Sequence, residues 1–443
     1  MGKAVFNQVF SSATGNADNY RIPSAVKTKS GVIIACADER YYTAADNPNR
    51  IDKVVRRSLD GGITWQEQIV AVKEYGESKM NASAAIDPCL LYDDDSNTVF
   101  MIYLHSPAKV WILDSEKGTG YDNVGRKLLK IGKRVAYVAD NNDIVYADGK
   151  YSGYVYDGEA YAYKDGECVG DIYSGKNPIK EYGTCFLYIC KSEDEGLTWS
   201  KPECLNLQVK DRYMSFIGAC PGVGIKIKRG KYAGRLIFPI YFNTLRRALS
   251  LSSCVIYSDD GGATWKRGKS PNDGRRKFIF KLSSRFVSEF DMITESQVIE
   301  LEDGVLRMFM RNHSLKRLIA MAESYDGGET WINYRHNPAL IHPICQVSAI
   351  NAVYKGKEVT LVCNAADKKR RINGTIRLSY DYGETFAFSA KVKADGFVYS
   401  SMVQADDGDI LLLYEGSTEH ESIDSLKFSI EEIEKGQIIY GGA

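Results

Sequence analysis

Several charged residues in this sequence stand where charge is costly to leave without a partner. Arg21 lies in Asn19-Tyr20-Arg21-Ile22-Pro23, Arg311 in Phe309-Met310-Arg311-Asn312, and Arg377 in Gly374-Thr375-Ile376-Arg377-Leu378, each among strand-like neighbours. Arg40 follows Asp38 and Glu39. Carboxylates occupy comparable places: Asp46 in the turn Ala45-Asp46-Asn47-Pro48 and Glu295 in Ile293-Thr294-Glu295-Ser296-Gln297. Taken singly, each arginine suits an internal salt bridge. Brought to one axis, they would make an anion site, because guanidinium groups are fixed forks that fit a carboxylate and stay charged at any working pH. Other chemistries find no support. The histidines form no His-Glu-x-x-His and no Cys/His metal spacing, and no Gly-x-Ser-x-Gly elbow occurs. Residues 263–270 resemble a phosphate loop but lack its first glycine. Lys368-Lys369-Arg370-Arg371 reads as a solvated loop that could assist an anionic substrate.

The elements that must position these groups are visible in a repeat. The pattern Ser-x-Asp-x-Gly-x-Thr-Trp/Phe occurs at Ser58–Trp65, Ser192–Trp199, Ser258–Trp265, Ser324–Trp331 and Ser379–Phe386, and four of the five tryptophans lie in it. Apolar strand-like runs precede it. Its aspartate can accept from turn amides, its glycine supplies positive φ, and its aromatic ring can cover the base of a hairpin. A residue needed once at a site has no reason to recur five times, so these aspartates read as fold staples. Asp194, Asp260 and Asp326 are 66 residues apart, room for about four strands and their turns, which is the content of a propeller blade. The longer gap from Asp60 to Asp194 calls for an insertion or a missing copy. Residues 105–185 change character, with alternating aromatic and polar residues and many Asp-Gly and Ser-Gly turns, and read as a small β-rich insertion. Its tyrosines and Trp111 could stack on a sugar, but core packing is the preferred reading for most of them. Ser429-x-x-Glu432, followed by Gly436, predicts a short closing helix.

Lysine plus arginine and aspartate plus glutamate each number 57, so no net positive field favours nucleic acid. No window approaches the length of a membrane span, and residues 1–6 carry no leader pattern. Several of the ten cysteines lie in apolar strand-like runs and none forms a Cys-x-x-Cys, so they read as free thiols. Glycine-rich, tyrosine-rich composition points to an all-β chain.

Arg-Ile-Pro, the repeated aspartate boxes, Thr294-Glu295-x-Gln297-Val298, Phe-Met-Arg-Asn and Gly-Thr-Ile-Arg, in this order, resemble the sialidase (neuraminidase) family, and bacterial sialidases most closely. The resemblance implies a six-bladed β-propeller over residues 1–104 and 186–443, with the insertion at 105–185. It implies Arg21, Arg311 and Arg377 as a triad for the sialic acid carboxylate, Asp46 as general acid/base, Tyr399 as nucleophile and Glu295 as its base. An anionic nucleophile would be repelled by the carboxylate on the reacting carbon, whereas a neutral phenol can approach it. Asp46 would need its pKa raised on substrate binding to carry a proton near neutral pH. Arg40 and Asp87 would read the C4 hydroxyl and the C5 substituent, and Tyr241 would line the glycerol side. The sequence departs from such relatives at His105-Ser106-Pro107, where they place a large aromatic that Trp111 could replace, and at Leu251, where they carry a polar side chain. The implied activity is retaining exo-α-sialidase without metal or organic cofactor, acting on sialylated glycoproteins, glycolipids and oligosaccharides. The alternatives are an intramolecular trans-sialidase giving a 2,7-anhydro product, a non-catalytic sialoside lectin, and a structural interaction propeller. The expected setting is a secreted or cell-surface catalytic domain, with carbohydrate-binding modules beyond this chain, or else the cytoplasm.

Overall fold

A computed structural model of the chain describes residues 5–277, 279–417 and 421–436. Among these, α-helix is confined to Asn206–Val209 and Ile430–Glu434. Most of the rest is antiparallel sheet in a propeller-like arrangement, with short parallel pairings at Ile51–Ala84 and of Gly222–Val223 with Cys89–Leu90. Three sheets have four antiparallel strands each. One runs Ile293–Glu300, Leu306–Asn312, Leu318–Ser324, Ile332–Ile341, and the next Val347–Tyr354, Lys357–Ala365, Ile372–Ser379, Phe388–Gly396. The third closes the molecule: the first strand, Val5–Phe10, pairs with Ile423–Phe428, which pairs with Ile410–Tyr414 and then Ser400–Gln404. A five-stranded sheet is built on Leu236–Asn243 and Leu251–Ser258, and a nine-stranded one contains Asn19–Lys27, Ile33–Arg40, Ile51–Ser58, Ala84–Asp93, Thr98–Ser106 and Phe186–Ser192.

Strands such as Ile33–Arg40 and Leu251–Ser258 are buried at every residue. Each sheet is sandwiched between neighbours, which is why these strands read as continuous apolar runs rather than as clean alternation. The cores lie between sheets. One joins Leu91, Phe100 and Ile102 to Phe238, Ile256 and Trp265, and another joins Ile33 and Ala35 to Leu411 and Leu413.

The five repeated turns have one geometry. In the first, Asp60 accepts from Thr64 N (2.8 Å), Thr64 Oγ1 (2.6 Å) and Ser58 Oγ (2.8 Å), while Gly62 N donates to Ser58 Oγ (2.8 Å). Gly62 has φ 91°, and a Cβ there would lie 2.7 Å from Leu411. The glycine is therefore required twice, for its left-handed backbone and for close approach to the neighbouring sheet. The other boxes repeat that approach: Gly196 meets Ile34, Gly262 meets Phe100, Gly328 meets Val255 and Gly383 meets Phe309.

The long gap between Asp60 and Asp194 is filled by inserted structure. Thr98–Ser106 and Phe186–Ser192 pair directly, His105 opposite Phe186, and the chain between them forms a separate seven-stranded sheet, Leu128–Asp171 plus Ile179–Glu181. That sheet has its own core of Leu129, Ala136, Ile144, Tyr156, Ala162, Ile172 and Ile179. Tyr156 is thus a core residue, whereas Tyr151 and Tyr161 remain exposed. All ten cysteines are unpaired, most of them buried. The helix Ile430–Glu434 is capped by Glu432, whose carboxylate accepts from Ser429 N at 2.8 Å.

Candidate active site

Local irregularities aim the charged side chains. The register of paired strands shifts between Arg21 and Ser24, between Ile86 and Cys89, and between Ile293 and Ser296. Arg21, Asp87 and Glu295 sit at these bulges, where a strand bends and re-aims side chains that would otherwise follow the pleat. Ile22, next to Arg21, has φ 60°, a strained state for a β-branched residue. The buried Glu415 holds it, accepting from Ile22 N (2.8 Å) and from Arg21 Nε (3.3 Å).

At the centre, Tyr399 Oη donates to Glu295 Oε1 at 2.5 Å, and one Arg311 nitrogen donates to both Glu295 Oε2 (2.7 Å) and Tyr399 Oη (3.0 Å). The phenol is therefore a donor to a carboxylate and an acceptor from a cation. Burial and the adjacent Glu295 charge push its pKa well up, so it is neutral at rest. Two further guanidiniums face its ring: Arg21 with Cζ 5.7 Å from the centroid, and Arg371 at 5.9 Å.

Asp46 is the solvent-facing acid, its side chain 41% exposed. It accepts from Arg40 at 2.8 Å. Partial burial raises its pKa, but the charges of Arg40 and Arg21 outweigh this and hold it below the usual carboxylate range. In the free protein Asp46 is ionised. Arg40 is fully buried and also grips Asp38 through two nitrogens (3.2 and 2.7 Å), while the buried Lys53 bonds Asp38 from the other side and donates to Ala85 O (2.8 Å). Asp87 has φ 62°, and burial, with Asp38, Asp46 and Glu295 nearby, pushes its carboxyl well above the usual range.

Tyr241 lies in the field of Asp87, Glu295 and Tyr399. Phe216 packs against it with centroids 5.2 Å apart and the rings tilted by 49°, and Trp111 meets Phe216 edge-on at 5.9 Å. Trp111, Tyr241 and Leu251 share one apolar cluster. Trp111 is thus linked to the site through Phe216 rather than placed among its charged groups.

The structure brings Arg21, Arg40, Asp46, Asp87, Glu295, Arg311, Tyr241 and Tyr399 together, but not Arg377. The Arg377 guanidinium donates to Asn364 Oδ1 (2.9 Å) and toward Thr375 O (3.5 Å), and its nearest titratable neighbour is Cys363. Arg371 stands at the tyrosine instead, in the field of Tyr399, Arg311 and Glu295. His105 also lies outside the site. It is buried between Glu74 (2.9 Å) and Glu181 (3.0 Å), and Lys127 joins Glu181 at 2.6 Å. Sequence reasoning missed Arg371 as a cluster member, noted Asp38 without giving it a role, and missed Glu415 and Lys53 entirely. The one available signal was the basic run 368–371.

Repeated turns thus carry the fold, and a tyrosine hydrogen-bonded to a glutamate and ringed by arginines lies at the centre of the charged cluster. The chain belongs to the BNR repeat-like domain family, whose profile matches residues 172–412. Its curated relatives include the anhydrosialidase of Macrobdella decora, 26% identical over 89% of this chain, and a sialidase of Bacteroides fragilis, 26% identical over 93%. The chain spans 58% and 62% of the lengths of these two. The intramolecular trans-sialidase from Ruminococcus gnavus, solved with oseltamivir carboxylate, shares the fold: TM-score 0.80, 24% identity, 96% of this chain and 97% of that one.

Proposed function

We propose that this protein is a retaining exo-α-sialidase acting on terminal sialic acids of glycans. The observation that carries the reading is the Tyr399–Glu295 hydrogen bond of 2.5 Å, shared with Arg311 and flanked by Arg21 and Arg371. The sialoside carboxylate binds Arg21, Arg311 and Arg371. The added negative charge offsets Arg21, so the Asp46 pKa rises and the residue takes up a proton. Asp46 gives that proton to the departing glycosidic oxygen as the bond to the anomeric carbon breaks. Tyr399 Oη bonds to that carbon and passes its proton to Glu295, while Arg311 offsets the charge that develops on the phenol oxygen. Asp46, now ionised, takes a proton from water, whose oxygen displaces Tyr399, and Glu295 returns the phenolic proton. Asp87, whose carboxyl burial and the neighbouring carboxylates push toward the protonated form, can in that form both donate to and accept from a sugar hydroxyl.

The fold implied by this reading has six blades. Support comes from the box glycines, each of which abuts one sheet further back around the ring, Gly62 reaching Leu411 in the closing sheet. The nine-stranded sheet divides naturally where Ile51–Ser58 meets Ala84–Asp93, which pair at one residue each, Ile51 and Ala84. Residues 105–185 then form an insertion within a hairpin of the second blade.

A second reading is intramolecular transfer to a 2,7-anhydro product. It is favoured by the aromatic line Trp111–Phe216–Tyr241, which lets the site exclude water from the covalent intermediate. Mass spectrometry after incubation with α2,3-sialyllactose, beside a Tyr399→Phe sample, tests both. Free sialic acid that disappears in the variant supports hydrolysis, a product lighter by one water supports transfer, and binding without cleavage refutes the enzyme and leaves a lectin.

A further inference from the structure

The acid loop between Arg40 and Ile51 is closed at its base by Tyr41 N donating to Arg50 O at 3.1 Å. Inside it, the fully buried Asn49 donates to Thr43 O (2.7 Å) and Ala45 O (2.9 Å) and accepts from Tyr42 N (3.2 Å). Those bonds fix the shape of the loop but not its attitude toward the tyrosine. Attitude is set by two other sets of contacts. One is made by Arg40, which pairs with Asp46 and donates to Ala44 O at 2.7 Å. The other is made by the buried Asn47, whose Nδ2 lies 2.9 Å from Pro107 O, 3.2 Å from Val110 O and 3.3 Å from Ser106 O.

The two sets differ in one respect that matters to catalysis. The ion pair exists only while Asp46 is ionised, yet an acid must be protonated when it acts. Protonation removes the charge that holds Asp46 to Arg40. The amide-to-carbonyl bonds of Asn47 involve no titrating group and persist. They end on a firm base: Val110 N donates to Pro107 O (3.0 Å), Ser106 Oγ bonds Val110 O, and Ala108 N donates to Tyr173 O of the insertion (3.0 Å). Trp111 is the next residue.

We propose that Asn47 is a positioning residue for Asp46, clamping the acid loop to the entrance of the insertion so that the protonated acid stays aimed at the leaving oxygen. The proposal rests on the sialidase reading. The insertion thereby serves the reaction through a contact made outside the substrate site.

The test compares two leaving groups. A sugar alkoxide cannot depart without a proton, whereas a nitrophenolate can, so an acid out of place penalises only the first. In Asn47→Ala, kcat/KM for α2,3-sialyllactose is expected to fall about 10- to 100-fold, the scale of an ångström-sized misplacement. For a nitrophenyl sialoside the loss should stay below about 3-fold, with KM nearly unchanged. Asn47→Ser, which keeps one shorter donor, is measured alongside, so that the comparison survives if the alanine variant fails to fold. Equal losses on both substrates, or no loss on either, overturn the proposal. If the unmodified protein turns over neither substrate, it is the sialidase reading that falls.

Discussion

Arg371 and Arg377 lie six positions apart and carry the same side chain, yet the structure gives them opposite work, so removing each in turn is a sharp test. Arg371 is half-buried, with its guanidinium 5.9 Å from the Tyr399 ring centroid, where a substrate carboxylate would meet Arg21 and Arg311. A hydrogen bond to a charged group contributes about 1.5–3 kcal/mol, and a guanidinium can offer two. Discounting for the solvent that still reaches Arg371 leaves about 2–4 kcal/mol, or roughly 30- to 1000-fold in kcat/KM at about 1.4 kcal/mol per tenfold. Arg371→Ala should show that loss with little change in thermal midpoint. Arg371→Lys, which keeps the charge but not the fork, should fall between. Arg377→Ala should do the reverse. Its removal strips a donor from the buried Asn364 side chain, which costs about 1–3 kcal/mol of stability, while kcat/KM below the melting range moves less than about 3-fold. Steady-state kinetics on a sialoside and calorimetric midpoints on the same preparations give both numbers. A kinetically silent Arg371→Ala, or an Arg377→Ala that is stable but crippled, would refute the assignment.

Three further outcomes follow from the same geometry. Burial alone would lower the His105 pKa, but Glu74 and Glu181 outweigh it and hold it at about 9. Because that value is raised above the unfolded one near 6.5, the associated stability of about 3 kcal/mol is complete below about pH 6.5 and lost as pH climbs to about 9. Denaturant titrations at pH 6 and 9.5 should show this slope in the parent and not in His105→Gln, and parallel pH curves would refute it. Asp46 is ionised in the free protein and must gain a proton to act, so kcat/KM should decline toward neutral pH more steeply than kcat, and Asp46→Asn should cost about 10²- to 10⁴-fold on sialyllactose. A pH-independent kcat/KM would contradict the ionised resting state. Gly62→Ala combines a left-handed backbone with a Cβ 2.7 Å from Leu411, and should lower stability by about 2–4 kcal/mol, read as a depressed thermal midpoint, with kinetics unchanged at low temperature.

The parts of the site that the sequence exposes are those carried by local pattern. Arg21, Arg311 and Glu295 betray themselves as charges inside strand-like text, and the box repeat supplies the frame around them. Arg371 hides because its neighbours are Lys368, Lys369 and Arg370, and local composition says solvent. Only the turn into Ile372–Ser379, with its register shift at Gly374, carries it inward. Arg377 attracted the assignment by lying within the strand itself, where burial is satisfied by Asn364. Glu415 is illegible for a different reason: its partner Arg21 is 394 residues away, and no local pattern encodes such a pairing. The same holds for His105, whose two glutamates lie 31 and 76 residues away, Glu74 before the inserted sheet and Glu181 in its last strand.

One consequence concerns timing. The outermost N-terminal strand, Val5–Phe10, finds its partner in Ile423–Phe428, and the sheet so formed also contains Ser400–Gln404, which begins directly after Tyr399. During synthesis Val5–Phe10 waits unpaired until Ile423–Phe428 has left the ribosome, and loop closure over that span is slow. Tyr399, the nucleophile of the proposed reaction, therefore borders a sheet that is completed late. A nascent or C-terminally clipped chain would hold most of its sheets yet have no competent centre, which makes activity itself a reporter of ring closure. A permuted chain, joined across its ends and opened at an exposed turn, would keep the same centre while changing which seam closes last.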